Sequence, residues 1–425
     1  MLVSFAKSVQ GESHKRREKQ SENLENGRKF PCQDKSFAQH SLKAYDGTLF
    51  DFVAVCDGHG GAPYFRSELG ADFAIEVLKN MLVRNMSRIL ELASSKQYEK
   101  IKTQLALGIT KRWREKVSLH ISENPITEQE YAFLEDEKLE AAQKYKEGKD
   151  LFAIYGCTLI AYFATKTFWY ALQIGDGDFL LSYDGKSFEL PMPEDKDCFL
   201  NQTTSICDDN AKDEVRCCYG EKLPLAVFCS SDGVANSFRD SESLKQKFYL
   251  PIYNLFDNTE FPQCKKECVQ SECDLKCHLH LVFEEIFSFL PILSKKGSCD
   301  DISLAGIVNV NANRILAMRY YIRGMKNLGI QSGNTAGLKL LKKSADLGYE
   351  KAQFEYGKLC YNRSSQHKIL EKHLLNKSQR YLEEAKENGV SEASILLQEI
   401  FGNLFNEKLS QLEEKVMNEI EGGES

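Results

Sequence analysis

Asp57-Gly58-His59-Gly60-Gly61 places a carboxylate and an imidazole where the apolar run Phe50–Cys56 ends. A carboxylate is a hard oxygen ligand and an imidazole carries protons near neutral pH, so the pair suits metal-assisted chemistry. Asp-Gly and Gly-Gly are also ordinary turn signals, and alone the run reads either way. Three more strand ends repeat the pattern. Gly175-Asp176-Gly177-Asp178 follows the runs Leu159–Ala164 and Phe168–Leu172, Ser230-Ser231-Asp232-Gly233 follows Val227-Phe228-Cys229, and Ser298-Cys299-Asp300-Asp301 precedes Ile302–Val308. Four acids at the ends of apolar runs are better explained by one shared cation site than by four unrelated turns. Oxygen-only donors select Mg²⁺ or Mn²⁺ over zinc or copper. Cations held this way neutralise negative charge on a bound substrate and lower the pKa of a bound water so that hydroxide exists near neutral pH. His59 then either carries a proton in such a reaction, worth about 10²- to 10⁴-fold, or is a structural turn histidine.

The elements that must position these groups are short runs rich in β-branched and aromatic residues and bounded by glycine, which predicts core strands. From Ala62 to Leu82 the spacing becomes helical, with Phe65, Leu69, Phe73 and Val77 on one face. Residues 86–149 are charged and helix-like, with Trp113, Tyr131 and Phe133 as apolar anchors that pack on the sheet unless the segment projects as an insertion. Asp184–Leu223, rich in Asp, Asn and Cys, reads as a mobile segment beside the acids.

Taken in order, Cys32-Gln33-Asp34, Asp57-Gly58-His59-Gly60-Gly61, Gly156-Cys157-Thr158, Gly175-Asp176-Gly177, Ser231-Asp232-Gly233 and Asp300-Asp301 resemble the metal-dependent protein phosphatases of type 2C. Gly11-Glu12-Ser13-His14 and Phe65-Arg66-Ser67-Glu68 resemble its prokaryotic-style branch, and the match runs to about Val310. The resemblance implies an α-β-β-α sandwich, an α+β fold of two stacked antiparallel sheets with a helical layer outside each, and two Mg²⁺ or Mn²⁺ ions at one edge. It implies that Asp57 bridges both ions, that the Gly58 carbonyl, Asp34, Asp232 and Asp300 complete the shell, and that Asp176 binds a weaker third. It assigns His59 as proton donor and, in a loop with Arg16, Arg17 and Lys29, Arg28 as the phosphate-binding arginine. Asp184–Leu223 falls where the family has its flap. Two positions depart from the family: Gln33 stands where many members have an acid, and Asp301 where many have asparagine.

The chain has 425 residues and a mass of 48.4 kDa, more than one ordinary core, with 42% hydrophobic residues. A net charge of -7 and a pI near 5.8 argue against a general nucleic-acid binder. The basic run His14–Lys19, interrupted by acids and free of aromatics, reads as a solvated hairpin loop or, more sharply, as a phosphoprotein-docking loop. No stretch resembles a signal peptide or reaches the ~20 apolar residues of a membrane span, so the expected location is the cytoplasm, without membrane contact. The 14 cysteines are too scattered for a secreted disulfide scaffold. Cys264, Cys268, Cys273 and Cys277 stand apart, beside His278 and His280. They bind structural zinc or remain reduced surface thiols, the latter favoured because zinc ribbons use two-residue spacers.

After Val310 the chain becomes strongly helical, and Leu341–Ala352 is echoed by Leu382–Ala393 at a period of 41 residues. Gly348 and Gly389 would break each helical hairpin, and Ala352 and Ala393 permit close helix approach. This resembles Sel-like repeats, relatives of the tetratricopeptide repeat, and serves either as a plain helical cap or as a protein-binding groove. The expected organisation is a phosphatase domain over 1–310 with insertions near 86–149 and 250–285, a linker over 311–333, and helical repeats over 334–425. The expected activity is hydrolysis of phosphoserine and phosphothreonine in phosphoproteins by a bridging hydroxide between two cations. The alternative is a catalytically weak phosphatase fold that binds protein partners through its repeats; a small-molecule phosphomonoesterase or nuclease fits the metal chemistry but not the set of motifs.

Overall fold

The computed structural model describes residues 1–21, 30–194, 203–257, 274–330, 334–366, 368–400 and 402. The chain divides into two units, Met1–Asn258 with Leu279–Val310, and Thr259–His278 with Asn311–Ser425. Up to Asn309 the order is β1 (Leu2–Val9), α1 (Glu12–Ser21), β2 (Lys35–Lys43), β3 (Leu49–Cys56), α2 (Ser67–Ser94), α3 (Tyr98–Glu123), α4 (Glu128–Lys146), β4 (Leu159–Ala164), β5 (Trp169–Ile174), β6 (Asp178–Ser182), α5 (Ala211–Glu214), β7 (Arg216–Gly220), β8 (Ala226–Ser230), α6 (Asp232–Ala235), α7 (Ser241–Leu244), α8 (Leu250–Asp257), α9 (Asp274–Lys296) and β9 (Ile302–Asn309). Two 3-10 turns, Ala62–Tyr64 and Leu151–Tyr155, precede α2 and β4.

Alternation along the strands dictates a four-layer packing, because successive side chains of a strand point to opposite faces. The strands form two antiparallel sheets, ordered β1-β9-β8-β6 and β2-β3-β4-β5-β7. From the second sheet Val53, Val55, Ile160 and Tyr162 turn toward Phe179, Leu181, Val227 and Ile307 of the first, closing the core between the sheets. Their neighbours Phe52, Ala54, Ala161 and Phe163 face the other way and pack with Leu78, Leu82, Ile101 and Trp113 of α2 and α3. On the far side of the first sheet, Phe5 stacks on Phe256 of α8 and meets Phe283 and Phe287 of α9. Each of these large side chains gains roughly 1.5–3 kcal/mol from burial. The result is the α-β-β-α sandwich that the sequence implied.

Residues 86–149 form the end of α2, then α3 and α4, and they pack on the sheet side rather than project. Trp113 is fully buried, and its Nε1 donates to the Gly70 carbonyl at 2.9 Å. On α2 the buried stripe is Ala71, Ala74, Leu78 and Leu82, whereas Phe65, Leu69 and Phe73 of the expected face are only partly covered. Phe73 instead meets the rings of His120 and Tyr155, so this side of α2 faces α3. Two expectations are corrected. The run His14–Lys19 belongs to helix α1 rather than a loop, and Asp184–Leu223 contains β7, which pairs with β5 at the sheet edge.

In the second unit α10 (Ala312–Ile330), α11 (Thr335–Asp346), α12 (Glu350–Ser364) and α13 (Glu371–Glu387) precede a helix over 391–400. The 41-residue echo has structural content. Gly348 at φ 84° and Gly389 at φ 92° close α11 and α13 in the left-handed conformation that favours glycine. Leu341, Ser344 and Ala352 are fully buried, and so are their counterparts Leu382, Ala385 and Ala393.

Candidate metal centre

The strand registers bring the predicted acids to one end of both sheets. Lys35 pairs with Cys56 in β2–β3, so one residue further Asp34 stands opposite Asp57. Ser230 ends β8 and pairs with both Asp178 of β6 and Leu304 of β9, which sets Asp232 just beyond β8 and Asp300 just before β9 on the same side. The turn Gly175-Asp176-Gly177 crosses from β5 of one sheet to β6 of the other. Asp34, Asp57, Gly58, His59, Asp176, Asp232 and Asp300 all line one cavity of about 140 Å³. Arg28 lies outside the described residues, as do Cys264, Cys268 and Cys273; Cys277 is described only as part of α9. Among the described residues no Arg or Lys lines the cavity.

Each presenting loop is pinned by hydrogen bonds from residues of the neighbouring motifs. Thr158 fixes Asp57 twice: its Oγ1 accepts the Asp57 amide at 3.0 Å and its own amide donates to the Asp57 carbonyl at 2.8 Å. Gly58 packs so tightly on Gln33 that a Cβ would lie 2.5 Å from the Gln33 carbonyl oxygen. The His59 amide donates to Gly156 at 3.0 Å, the Ser67 hydroxyl to the His59 carbonyl at 3.1 Å, and Gln33 Nε2 to Ser67 Oγ at 2.7 Å. Gly175 at φ 102° allows the tight turn, whose carbonyls at Gly175 and Gly177 accept from Gln173 Nε2 at 3.0 and 2.6 Å. Thr203 Oγ1 donates to Asp176.

The two departures from the family answer each other. The Gln33 amide group donates to Ser67 and to the Tyr64 carbonyl, which an ionised acid cannot do. Asp301 accepts the backbone amides of Gly11 at 2.5 Å and Gln33 at 2.6 Å, and His14 Nδ1 stands 3.0 Å from it. Asp301 thus ties the β1–α1 junction, the approach to β2 and the start of β9 together, and it positions Asp34 through the adjacent Gln33. His14, raised in pKa by Asp301 despite its burial, completes this bracket. Sequence reasoning placed neither His14 nor Asp301 in a role.

Beyond the His14–Asp301 pair, the carboxylates of the cavity face one another. Asp34 is 1% exposed and neither carboxylate oxygen has a hydrogen-bond partner. Burial pushes its pKa well above the usual carboxylate range and Asp301 pushes it further; Ser231, whose hydroxyl accepts the Ser303 amide at 2.9 Å, offsets little. Asp57 is raised in the same way by burial and then by Asp34 and Asp232, and Asp300 by burial and Asp232. Burial lowers the pKa of His59, while Asp208 and Asp232 pull it up. Among the described residues no three His, Cys, Asp or Glu side chains close into a finished cage. The acids gather around a volume rather than a point, which suits a cation that keeps several waters and takes one or two carboxylates. An all-oxygen donor set with orphaned buried carboxylate oxygens fits hard divalent cations and not zinc.

A carboxylate cluster, with Asp34 buried and Asp57 and Asp232 half-buried, stands beside an imidazole at one end of an α-β-β-α sandwich. The profile of the family Protein phosphatase 2C matches residues 25–268, more than half of the chain. This chain belongs to the protein phosphatase 2C family and carries its metal-dependent serine/threonine phosphatase fold. No curated protein matches it in sequence. Similar solved structures include the catalytic domain of the serine threonine protein phosphatase PstP in complex with two manganese ions, at 14% identity over 73% of this chain and 99% of that one, TM-score 0.39. Others are the Mycobacterium tuberculosis serine/threonine phosphatase PstP/Ppp (13%, 73% and 99%, TM-score 0.38) and the S. agalactiae serine/threonine phosphatase (12%, 73% and 100%, TM-score 0.40).

Proposed function

We propose that this chain is a Mg²⁺- or Mn²⁺-dependent phosphoprotein phosphatase acting on phosphoserine and phosphothreonine. The observation that carries the reading is the convergence of Asp34, Asp57, Asp176, Asp232 and Asp300 with His59 on one cavity. Asp34, Asp57, Asp232, Asp300 and the Gly58 carbonyl would hold two cations, and Asp176 a weaker third. When bound, the cations supply neutralisation of the phosphoryl charge and activation of water. The chain's own residues do the rest. Thr158 and Gln33 fix the Asp57 and His59 backbones, so the carboxylates need little reorganisation when substrate enters. His59 gives its proton to the departing serine or threonine oxygen, and Tyr64, with ring centroids 5.1 Å apart, covers its imidazole.

The phosphatase domain spans 1–310, and the helical segment over 334–425 recruits protein partners; the stretch 311–333 expected as a linker is instead mostly helix α10, which packs with α11 in one core and so belongs to that helical unit. Buried free thiols such as Cys56, Cys157, Cys229 and Cys360 suit a reducing compartment, the cytoplasm. Hydrolysis of an aryl phosphate and of a phosphothreonine peptide, with Mn²⁺ or Mg²⁺ and after EDTA, tests the activity. Turnover that requires the metal is expected; turnover indifferent to EDTA sinks the proposal.

A further inference from the structure

A cleft of about 610 Å³ lies beside the metal centre, built chiefly by the helical segment α3–α4. Its floor is Pro63, Tyr64, Ala141, Phe152 and Ala153; Lys138, Glu140 and Asp208 stand at its rim. Tyr64 is shared ground, since the same ring that lines the cleft lies against His59. The opposite wall is held in shape by Arg114 of α3, whose guanidinium donates to the carbonyls of Cys207 and Asp208, each at 2.9 Å, pairs with Asp209 at 3.0 Å and sits over the Phe152 ring. From the other side, the Tyr145 hydroxyl of α4 donates to the Pro63 carbonyl at 3.2 Å, fixing the helix to the turn that carries Tyr64.

We propose that this cleft binds the peptide segment flanking the phosphorylated residue and so sets substrate choice, an inference that rests on the phosphatase reading above. A phosphorylated side chain reaching His59 brings its own backbone to the Tyr64 edge, and the flanking chain then lies along the cleft. The occupant is an extended peptide rather than a small apolar ligand. The cleft is open and its apolar floor is flanked by charges of both signs, of which Arg114–Asp209 and Lys144–Asp150 are paired, while Lys138 and Glu140 make no ion pair among the described residues. An apolar flanking side chain rests on Tyr64 and Phe152, while the rim meets charged neighbours.

The experiment compares three substrates with the full-length chain in Mn²⁺: an aryl phosphate, a phosphothreonine peptide with apolar and charged flanks, and the same peptide with glycine flanks. Ala141→Trp fills the floor, and Glu140→Trp fills the cleft from an exposed position that leaves the core untouched. Expected is a loss of about tenfold in kcat/KM for the flanked peptide, mostly through KM, and no preference left between the two peptides. Aryl phosphate turnover stays at the wild-type level in both variants. Equal rates of variants and wild type on the flanked peptide overturn the inference while leaving the phosphatase reading intact. Equal losses on all three substrates in a variant that still melts cooperatively also overturn it, because the cleft then acts on the catalytic loop and not on peptide. Wild-type protein that hydrolyses none of the three, with or without Mn²⁺, overturns the phosphatase reading and the cleft together.

Discussion

Two charge clusters in the first unit, each with a buried member, obey opposite rules. Around Arg66 every charge is answered: the guanidinium, 7% exposed, donates to both oxygens of Glu130 at 2.9 and 2.8 Å, to the Tyr155 hydroxyl at 2.9 Å and to the Asn124 and Pro125 carbonyls. Glu130 also closes a capping box with Thr127 at the start of α4, and despite partial burial its pKa is held below the usual carboxylate range by Arg66 and Thr127. At the sheet ends, by contrast, Asp34, Asp57, Asp232 and Asp300 crowd together with no Arg or Lys among the described side chains that line their cavity, and the nearby His14 is taken up by Asp301. Compensated charge holds a fold together; uncompensated like charge is kept only where a ligand supplies the opposite sign. Mutations should therefore separate the two clusters, one through stability and the other through activity.

The largest expected effect is on turnover. Asp57→Asn should lower metal-dependent phosphatase activity about a thousandfold or more while leaving the melting temperature of the metal-free protein unchanged or higher, since it removes one of several repelling carboxylates. Paired measurements of kcat and thermal melting check this; a variant that retains turnover breaks the assignment of Asp57. Next in size is Arg66→Ala, which strands Glu130 and three backbone or hydroxyl acceptors and should cost about 3–5 kcal/mol in denaturant unfolding. The double variant Arg66→Ala with Glu130→Ala should lose less than the sum of the two single losses, because the stranded charge is gone.

The functional cluster was far more legible in the sequence than the structural one. Its acids sit beside glycines at the ends of apolar runs, and strand ends in antiparallel sheets are where register gathers distant residues. Thr158, Ser67, Asp301 and Arg66 stand inside recognisable motifs, but their partners left no mark, because a buried serine or arginine has no periodicity of its own and a partner can lie far along the chain, as Gly11 lies 290 residues from Asp301. β1 and β2 were equally silent. Lys35–Lys43 alternates weakly and carries a bulge between Gln39 and Leu42, with Ser41 at φ 56°, so its pattern of burial is blurred. On α2 the helical spacing was right and Val77 of the expected face is buried, but Leu69 and Phe73 are only partly covered, since small residues such as Ala71 and Ala74 mark the closest approach to the sheet and Phe73 turns toward His120 of α3.

The contrast sharpens in metal-free protein. Asp34→Asn replaces a carboxylate whose two oxygens have no hydrogen-bond partner with a neutral amide of the same size, and should raise stability by on the order of 1 kcal/mol without metal. Added Mn²⁺ should raise the melting temperature of the wild type and not that of the variant, because a ligand stabilises only the state that binds it. A variant less stable than wild type without metal would show that Asp34 is compensated after all.

The smallest effect belongs to the second unit, where Asp346 shows what ordinary surface compensation is worth. Its carboxylate accepts the Tyr381 hydroxyl and the Lys342 ammonium, both at 2.5 Å, with Arg380 at 3.8 Å. Burial alone would raise its pKa, but these donors outweigh it and hold the group below the usual 3.8. A carboxylate with a depressed folded-state pKa stabilises the fold above its unfolded pKa and loses that contribution as the pH falls through its folded value. Asp346→Asn should therefore cost under about 1 kcal/mol at neutral pH, since its side chain is 40% exposed and solvent screens the pairs. The difference from wild type should shrink in acid, below the ordinary carboxylate range, and be gone once both forms are neutral. Thermal melts of the two proteins across that range decide it: a gap that persists in acid would mean that Asp346 acts through packing or hydrogen-bond geometry alone.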